Sequence, residues 1–191
     1  MSIYLIFNKI MTKDKTLFYK SALYYGLMLG LVLILFDIIL WSTHLKESTI
    51  IHNLSLIIII AGIVIGIKKY RDKINNGIIS YSKALGLGTL IIFITSVVLA
   101  IYYYLFYTVI DTEAISKIIE LSEEKMIETG LDDEQIDITL EMTKKFTTPF
   151  MLSIGTIFSV TFWGFIFSLI ISLFLKKENN PFKNDNIQVI D

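Results

Sequence analysis

Long apolar runs alternate with short polar segments along this chain. The apolar runs extend approximately from Ser21 to Trp41, Ile50 to Ile67, Ala84 to Tyr107 and Phe150 to Leu175. A hydrocarbon core about 30 Å thick is crossed by roughly 20 apolar residues in a helix, so the pattern predicts four transmembrane helices. The second run is the shortest, and the fourth is long enough to tilt. The segment from Ile110 to Thr148 follows a different pattern. There Ile115, Ile118, Ile119, Met126 and Ile127 recur at helical spacing, and Gly130 supplies a stop. Asp132 followed by Gln135 reads as a capping box for a second helix carrying Ile136, Ile138, Leu140 and Met142. This segment is therefore expected to form a helical hairpin. Neither glycine nor proline stands between Gly88 and Gly130, so the third long helix is expected to run on into the hairpin. Thr148 and Pro149 form an N-cap and first-turn pair for the fourth.

Composition agrees with a lipid solvent. Of the 191 residues 54% are hydrophobic and only 18% charged, where a soluble domain carries about a quarter charged. The fold class expected is all-α, an integral membrane four-helix bundle with an extracytoplasmic acidic hairpin between helices 3 and 4. The net charge of −1 conceals an asymmetry that orients it. Lys9, Lys13, Lys15 and Lys20 precede the first run, Lys68, Lys69, Arg71, Lys73 and Lys83 separate the second from the third, and Lys176 and Lys177 follow the fourth. By the positive-inside rule these segments, and hence both termini, are cytoplasmic. The hairpin segment holds eleven acidic residues against four lysines and faces outward. The domain reading is a cytoplasmic segment 1–20, a four-helix domain 21–177 and a polar tail 178–191. The first run lacks a small-residue cleavage site after its lysines, which favours a retained helix over a signal peptide.

Candidate chemistry is sparse. Cysteine is absent and His44 and His52 are the only histidines, so no metal site and no cofactor are expected. No phosphate-binding loop, dinucleotide fingerprint or nucleophile elbow is present, and the chain is read as non-enzymatic. Gly26 and Gly30 in the first helix and Gly62 and Gly66 in the second are spaced four apart, the spacing that lets membrane helices approach closely. The two helices are expected to pair through them, giving a bundle tight at the cytoplasmic end and wider outside. The plainer account is that glycine is common in membrane helices and that Tyr102, Tyr103, Tyr104 and Tyr107 form an interfacial belt. Asp37 is the one acid within an apolar run, and His44, His52 and Asn53 lie at similar depth. Such a cluster fits proton or ion binding, and fits equally a hydrated helix end. Lys68, Lys69, Arg71 and Lys73 suit anionic lipid headgroups as well as a bare topology signal. The stretch is too short for nucleic acid. A small hairpin cannot bury its own apolar stripe, so 110–148 is expected to rest on the membrane, on a second copy or on a protein partner, and is the candidate interaction surface. The functional expectation is thus an interaction protein using this hairpin. The alternative is a small transporter or ion-conducting subunit with an outward cavity near Asp37.

The block Gly66-Ile-Lys-Lys-Tyr-Arg-Asp-Lys73, followed by Asn76-Gly-Ile-Ile-Ser-Tyr-Ser-Lys-Ala-Leu-Gly86, resembles the signature of the bacterial membrane-protein family called domain of unknown function 4199. The order of a Gly- and Leu-rich first helix, an acidic helical loop and a proline-started last helix ending in two lysines is similar too. The resemblance covers roughly Met11 to Lys177. It implies a topology and a bacterial inner (plasma) membrane, and it carries over no activity and no functional residue. It also implies a start near Met11, with Met1–Ile10 as a misassigned extension.

Overall fold

The computed structural model describes residues 2–43 and 49–178, with side chains for 14–43 and 54–178. The described residues form α1 (Ser2–Ser42), α2 (Thr49–Lys69), α3 (Tyr81–Leu105), α4 (Ala114–Glu128), α5 (Asp133–Phe146) and α6 (Pro149–Leu175). No strand occurs among them; one antiparallel pair, Ile79 with Lys177, is the extended contact. Three stretches of the described residues are long and apolar enough to cross a membrane, Asp14–Ser42, Tyr81–Ile110 and Pro149–Leu175.

The surface of these helices is inverted relative to a water-soluble fold. Leu31 and Leu35 on α1 and Phe158, Phe162 and Phe174 on α6 are all more than half exposed, while Thr95, Ser96, Ser168 and Ser172 are fully buried. Water penalises an apolar surface of that extent, whereas hydrocarbon does not, and helices in lipid associate through small and polar contacts instead. The chain is a membrane-type helical protein.

Centrally placed, α3 packs on α6 and α1, and also touches α2. A Cβ built on Gly26 would lie 2.8 Å from Ile94 Cβ and 2.9 Å from the Ile91 carbonyl oxygen, and one on Gly30 would lie 2.9 Å from Val98 Cγ1. Gly26 with Ile94 and Gly30 with Val98 advance together, so α1 and α3 run in the same direction. These glycines were expected to pair α1 with α2; Gly62 and Gly66 do lie against α1, but Gly26 and Gly30 turn to α3 instead. A shallow glycine groove is filled best by a β-branched ridge, and Ile94 and Val98 supply one four residues apart, so glycine receives bulk rather than glycine. Gly62 meets Leu29 of α1 and Gly66 meets Ile91 and Tyr25, so these two still admit α1 and α3 closely.

The most extensive interface, α3 with α6, depends on a stripe that the glycine spacing did not reveal. Gly164, Ser168 and Ser172 recur every four residues on α6 and are buried. A Cβ on Gly88 would come within 2.7 Å of Ser168 Oγ. Thr95 Oγ1 donates to the Gly26 carbonyl at 3.0 Å, and Ser96 and Thr161 hydroxyls meet at 3.0 Å, so both interfaces of α3 carry a polar contact as well.

Two boundaries differ from expectation. Helix α1 begins at Ser2 rather than near Ser21, because lysine is a good helix former: the apolar run marked the membrane, not the helix. Helix α3 does not continue into the hairpin. It widens into a π turn, Phe106–Ile110, and stops at Asp111 (φ −129°, ψ 79°), whose amide donates to the Phe106 carbonyl at 2.8 Å. β-Branched Thr108, Val109 and Ile110 weaken the helix there without any glycine or proline. Of the terminal segments, residues 179–191 and Met1 lie outside the described residues, and for 2–10 only the helical course is described.

Local capping follows the sequence closely. Leu131 N–H bonds to the Met126 carbonyl at 3.3 Å around Gly130 (φ +77°), a left-handed stop for α4. Asp132 Oδ1 accepts from Gln135 N–H at 2.8 Å, and Thr148 Oγ1 accepts from Met151 N–H at 3.3 Å ahead of Pro149. Helices α4 and α5 pack on one another.

Candidate functional site

Close glycine contacts concentrate toward the basic loop, at Gly26, Gly66 and Gly88. Toward the acidic segment lies a cavity of about 600 Å³. Each wall is a helical repeat read along one face: Leu33, Phe36, Asp37 and Leu40 from α1; Ser55, Leu56 and Ile59 from α2; Leu99 and Tyr103 from α3; Ser159, Val160, Trp163, Gly164 and Phe167 from α6. Gly164 lines the cavity at a point where α6 lies against Ile92 of α3 with no space for a side chain.

Asp37 sits in the α1 wall, half-buried. The buried Tyr102 hydroxyl donates to its Oδ2 at 2.9 Å, and the Tyr103 hydroxyl interacts with the same carboxylate. Because α1 and α3 run in parallel, Asp37 with Tyr102 continues the series Gly26 with Ile94 and Gly30 with Val98. One step further, Trp41 stacks edge-on against Phe106 at 5.9 Å, and its Nε1 donates to Asp111 Oδ2 at 3.1 Å. Depth-matching α1 with α3 as parallel neighbours would have found these partners in the sequence. The assumption that α1 pairs with α2 concealed them. Of the residues expected beside Asp37, His44 lies outside the described residues, and the side chains of His52 and Asn53 do as well. Ser55, Ser159 and Trp163 carried no signal beyond helical register.

At the opposite end, the basic segment is a fastening for the last helix. After α2 the chain makes a π turn, Tyr70–Ile74, then reverses through Asn76 (φ +54°) and Gly77 (φ +79°). Ile79 and Lys177 exchange two backbone hydrogen bonds of 2.9 Å, and Arg71 Nη1 donates to the Leu175 carbonyl at 3.0 Å, satisfying an orphan acceptor at the end of α6. Arg71 Nε also binds Asp72 Oδ1 at 2.7 Å, which holds the Asp72 carboxyl below its ordinary range and the guanidinium above its own. Tyr70 is buried against Phe18, and Lys83 Nζ sits 5.4 Å over its ring while donating to Asn75 Oδ1 at 2.9 Å. Asn75 Nδ2 in turn donates to the Ile78 carbonyl. Arg71 was grouped with Lys68, Lys69 and Lys73 on sequence; the structure separates it from them, since those three are exposed and Arg71 is tied to α6.

The fold and site define an all-helical protein of membrane type with a mostly apolar cavity, carrying one carboxylate and two serines, among its long helices. Residues 23–177 match the model of a family described as "Protein of unknown function (DUF4199)". The chain belongs to that family. No curated protein and no solved structure matches it.

Proposed function

We propose that the chain crosses a bacterial inner (plasma) membrane four times and is a non-enzymatic binding protein whose outer-half cavity receives a small molecule. The fourth crossing in this reading is α2: its 21 residues make a helix about 31 Å long, matching the hydrocarbon core. The lysine-rich ends and the 68–83 loop then face the cytoplasm, and α4 and α5 form a hairpin on the far side. The observation that carries the binding role is the cavity itself. Its volume lies within the range of small-molecule sites, and a carboxylate and two serines stand among apolar walls.

The chain has no cysteine, so single introduced thiols report without background. In cells treated from outside with a membrane-impermeant thiol reagent, Ser159→Cys in the cavity is expected to react and Phe158→Cys, 72% exposed toward lipid, is not. Lys73→Cys is expected to react only after permeabilisation. Equal inertness of Ser159→Cys and Phe158→Cys would refute an outward cavity, and external labelling of Lys73→Cys would refute the orientation.

A second reading, association through the hairpin with another copy or a protein partner, is favoured by its surface. Leu121, Ile127, Ile138, Met142 and Phe146 stand more than half exposed on α4 and α5, although Ile136 and Leu140 are buried. Crosslinking through Glu124→Cys would test it, and a purely monomeric, partner-free product would remove it.

A further inference from the structure

We propose that the cavity accepts an organic cation with an apolar body, a quaternary or protonated amine bearing hydrocarbon, with its charge held by Asp37 beside the aromatic side chains of Tyr103 and Trp163. This rests on the cavity reading above and names the ligand class. The cavity volume, about 600 Å³, decides first: a bare inorganic ion or a proton would leave nearly all of it empty against apolar walls, so the ligand is molecular. Charge decides next. Among the described lining residues Asp37 is the one ionisable acid and no base is present, so an anion meets a like charge with nothing to neutralise it. Aromatic walls decide the rest. Tyr103, Trp163 and Phe167 line the cavity, and electron-rich aromatic rings beside a carboxylate are the composition that recognises alkylated ammonium groups. The Tyr102 hydroxyl at 2.9 Å and the Tyr103 hydroxyl hold the carboxylate in position, and a carboxylate offers about four acceptor sites.

The test is isothermal titration calorimetry on the full chain in detergent micelles, with benzyltrimethylammonium and benzenesulfonate as probes. The cation is expected to bind at least about tenfold tighter than the anion. Asp37→Asn, which keeps an acceptor for Tyr102, is expected to weaken the cation by about tenfold, and Asp37→Glu to retain most of the affinity. Equal affinity for the anion, full affinity in Asp37→Asn, or no cation binding each overturns the inference. Should Asp37→Asn not fold, Trp163→Leu decides: a loss of roughly fivefold is expected from the missing ring face, and unchanged affinity overturns it. Reactive Ser159→Cys without cation binding removes only the ligand class; inert Ser159→Cys removes the cavity reading with it.

Discussion

Replacing Gly26 with alanine is the sharpest test of how α1 is seated. The added Cβ would stand 2.8 Å from Ile94 Cβ and 2.9 Å from the Ile91 carbonyl oxygen. Neither atom is the end of a flexible side chain, so relief requires α1 and α3 to move apart by a large fraction of an ångström. Overpacking of this kind costs about 1–3 kcal/mol. Separation also stretches the bond from Thr95 Oγ1 to the Gly26 carbonyl, and polar contacts between membrane helices average about 0.6 kcal/mol. Against this stands the helix propensity of alanine over glycine, up to about 1 kcal/mol. The cost is larger, and we expect Gly26→Ala to lose about 0.5–2.5 kcal/mol. Gly62→Ala should lose less, because its Cβ would meet Leu29 Cδ1, the mobile tip of a side chain. Gly155→Ala, with nothing within 4 Å, should be neutral or stabilising. Reversible unfolding in mixed micelles of graded SDS content measures all three. A Gly26→Ala protein as stable as wild type, or the order Gly62 above Gly26, would refute the parallel α1–α3 seating.

Three further outcomes are expected. Arg71→Lys should lose about 1 kcal/mol in the same assay, since an ammonium cannot hold Asp72 and the Leu175 carbonyl in one planar fork. The Asp72 carboxyl, held low by that guanidinium, should titrate below 3.8 by carboxyl NMR and return toward it in Arg71→Gln; its pairing with Arg71 is present above the free value and is lost only as pH falls through the lowered one. Asp132→Ala should remove the cap from Gln135 N–H, cost about 1 kcal/mol and fray the first turn of α5, read as faster amide exchange there, while exchange in α3 is unchanged.

Much of the architecture was legible one residue at a time. Thr148 with Pro149, Gly130 and Asp132 each do what their local chemistry dictates, because a cap is satisfied within a few residues of itself. The long apolar stretches were legible for the same reason: crossing length is a property of one segment and its solvent. The end of α3 was not, since Phe106–Ile110 carries no breaker, and the turn is completed by Trp41 reaching Asp111 from another helix.

By itself the sequence determined which segments are apolar enough for a bilayer, where helices are capped and which ends carry positive charge. Only the tertiary structure decided who neighbours whom. Lipid gives no preference for burying one apolar face over another, so periodicity does not choose a partner, and the choice falls to shape: Gly26 and Gly30 take Ile94 and Val98, and Gly88 takes Ser168. That choice placed Asp37 against Tyr102 and opened the cavity beside them. It also turned Arg71, one of several basic residues in the sequence, into the clasp on the last helix.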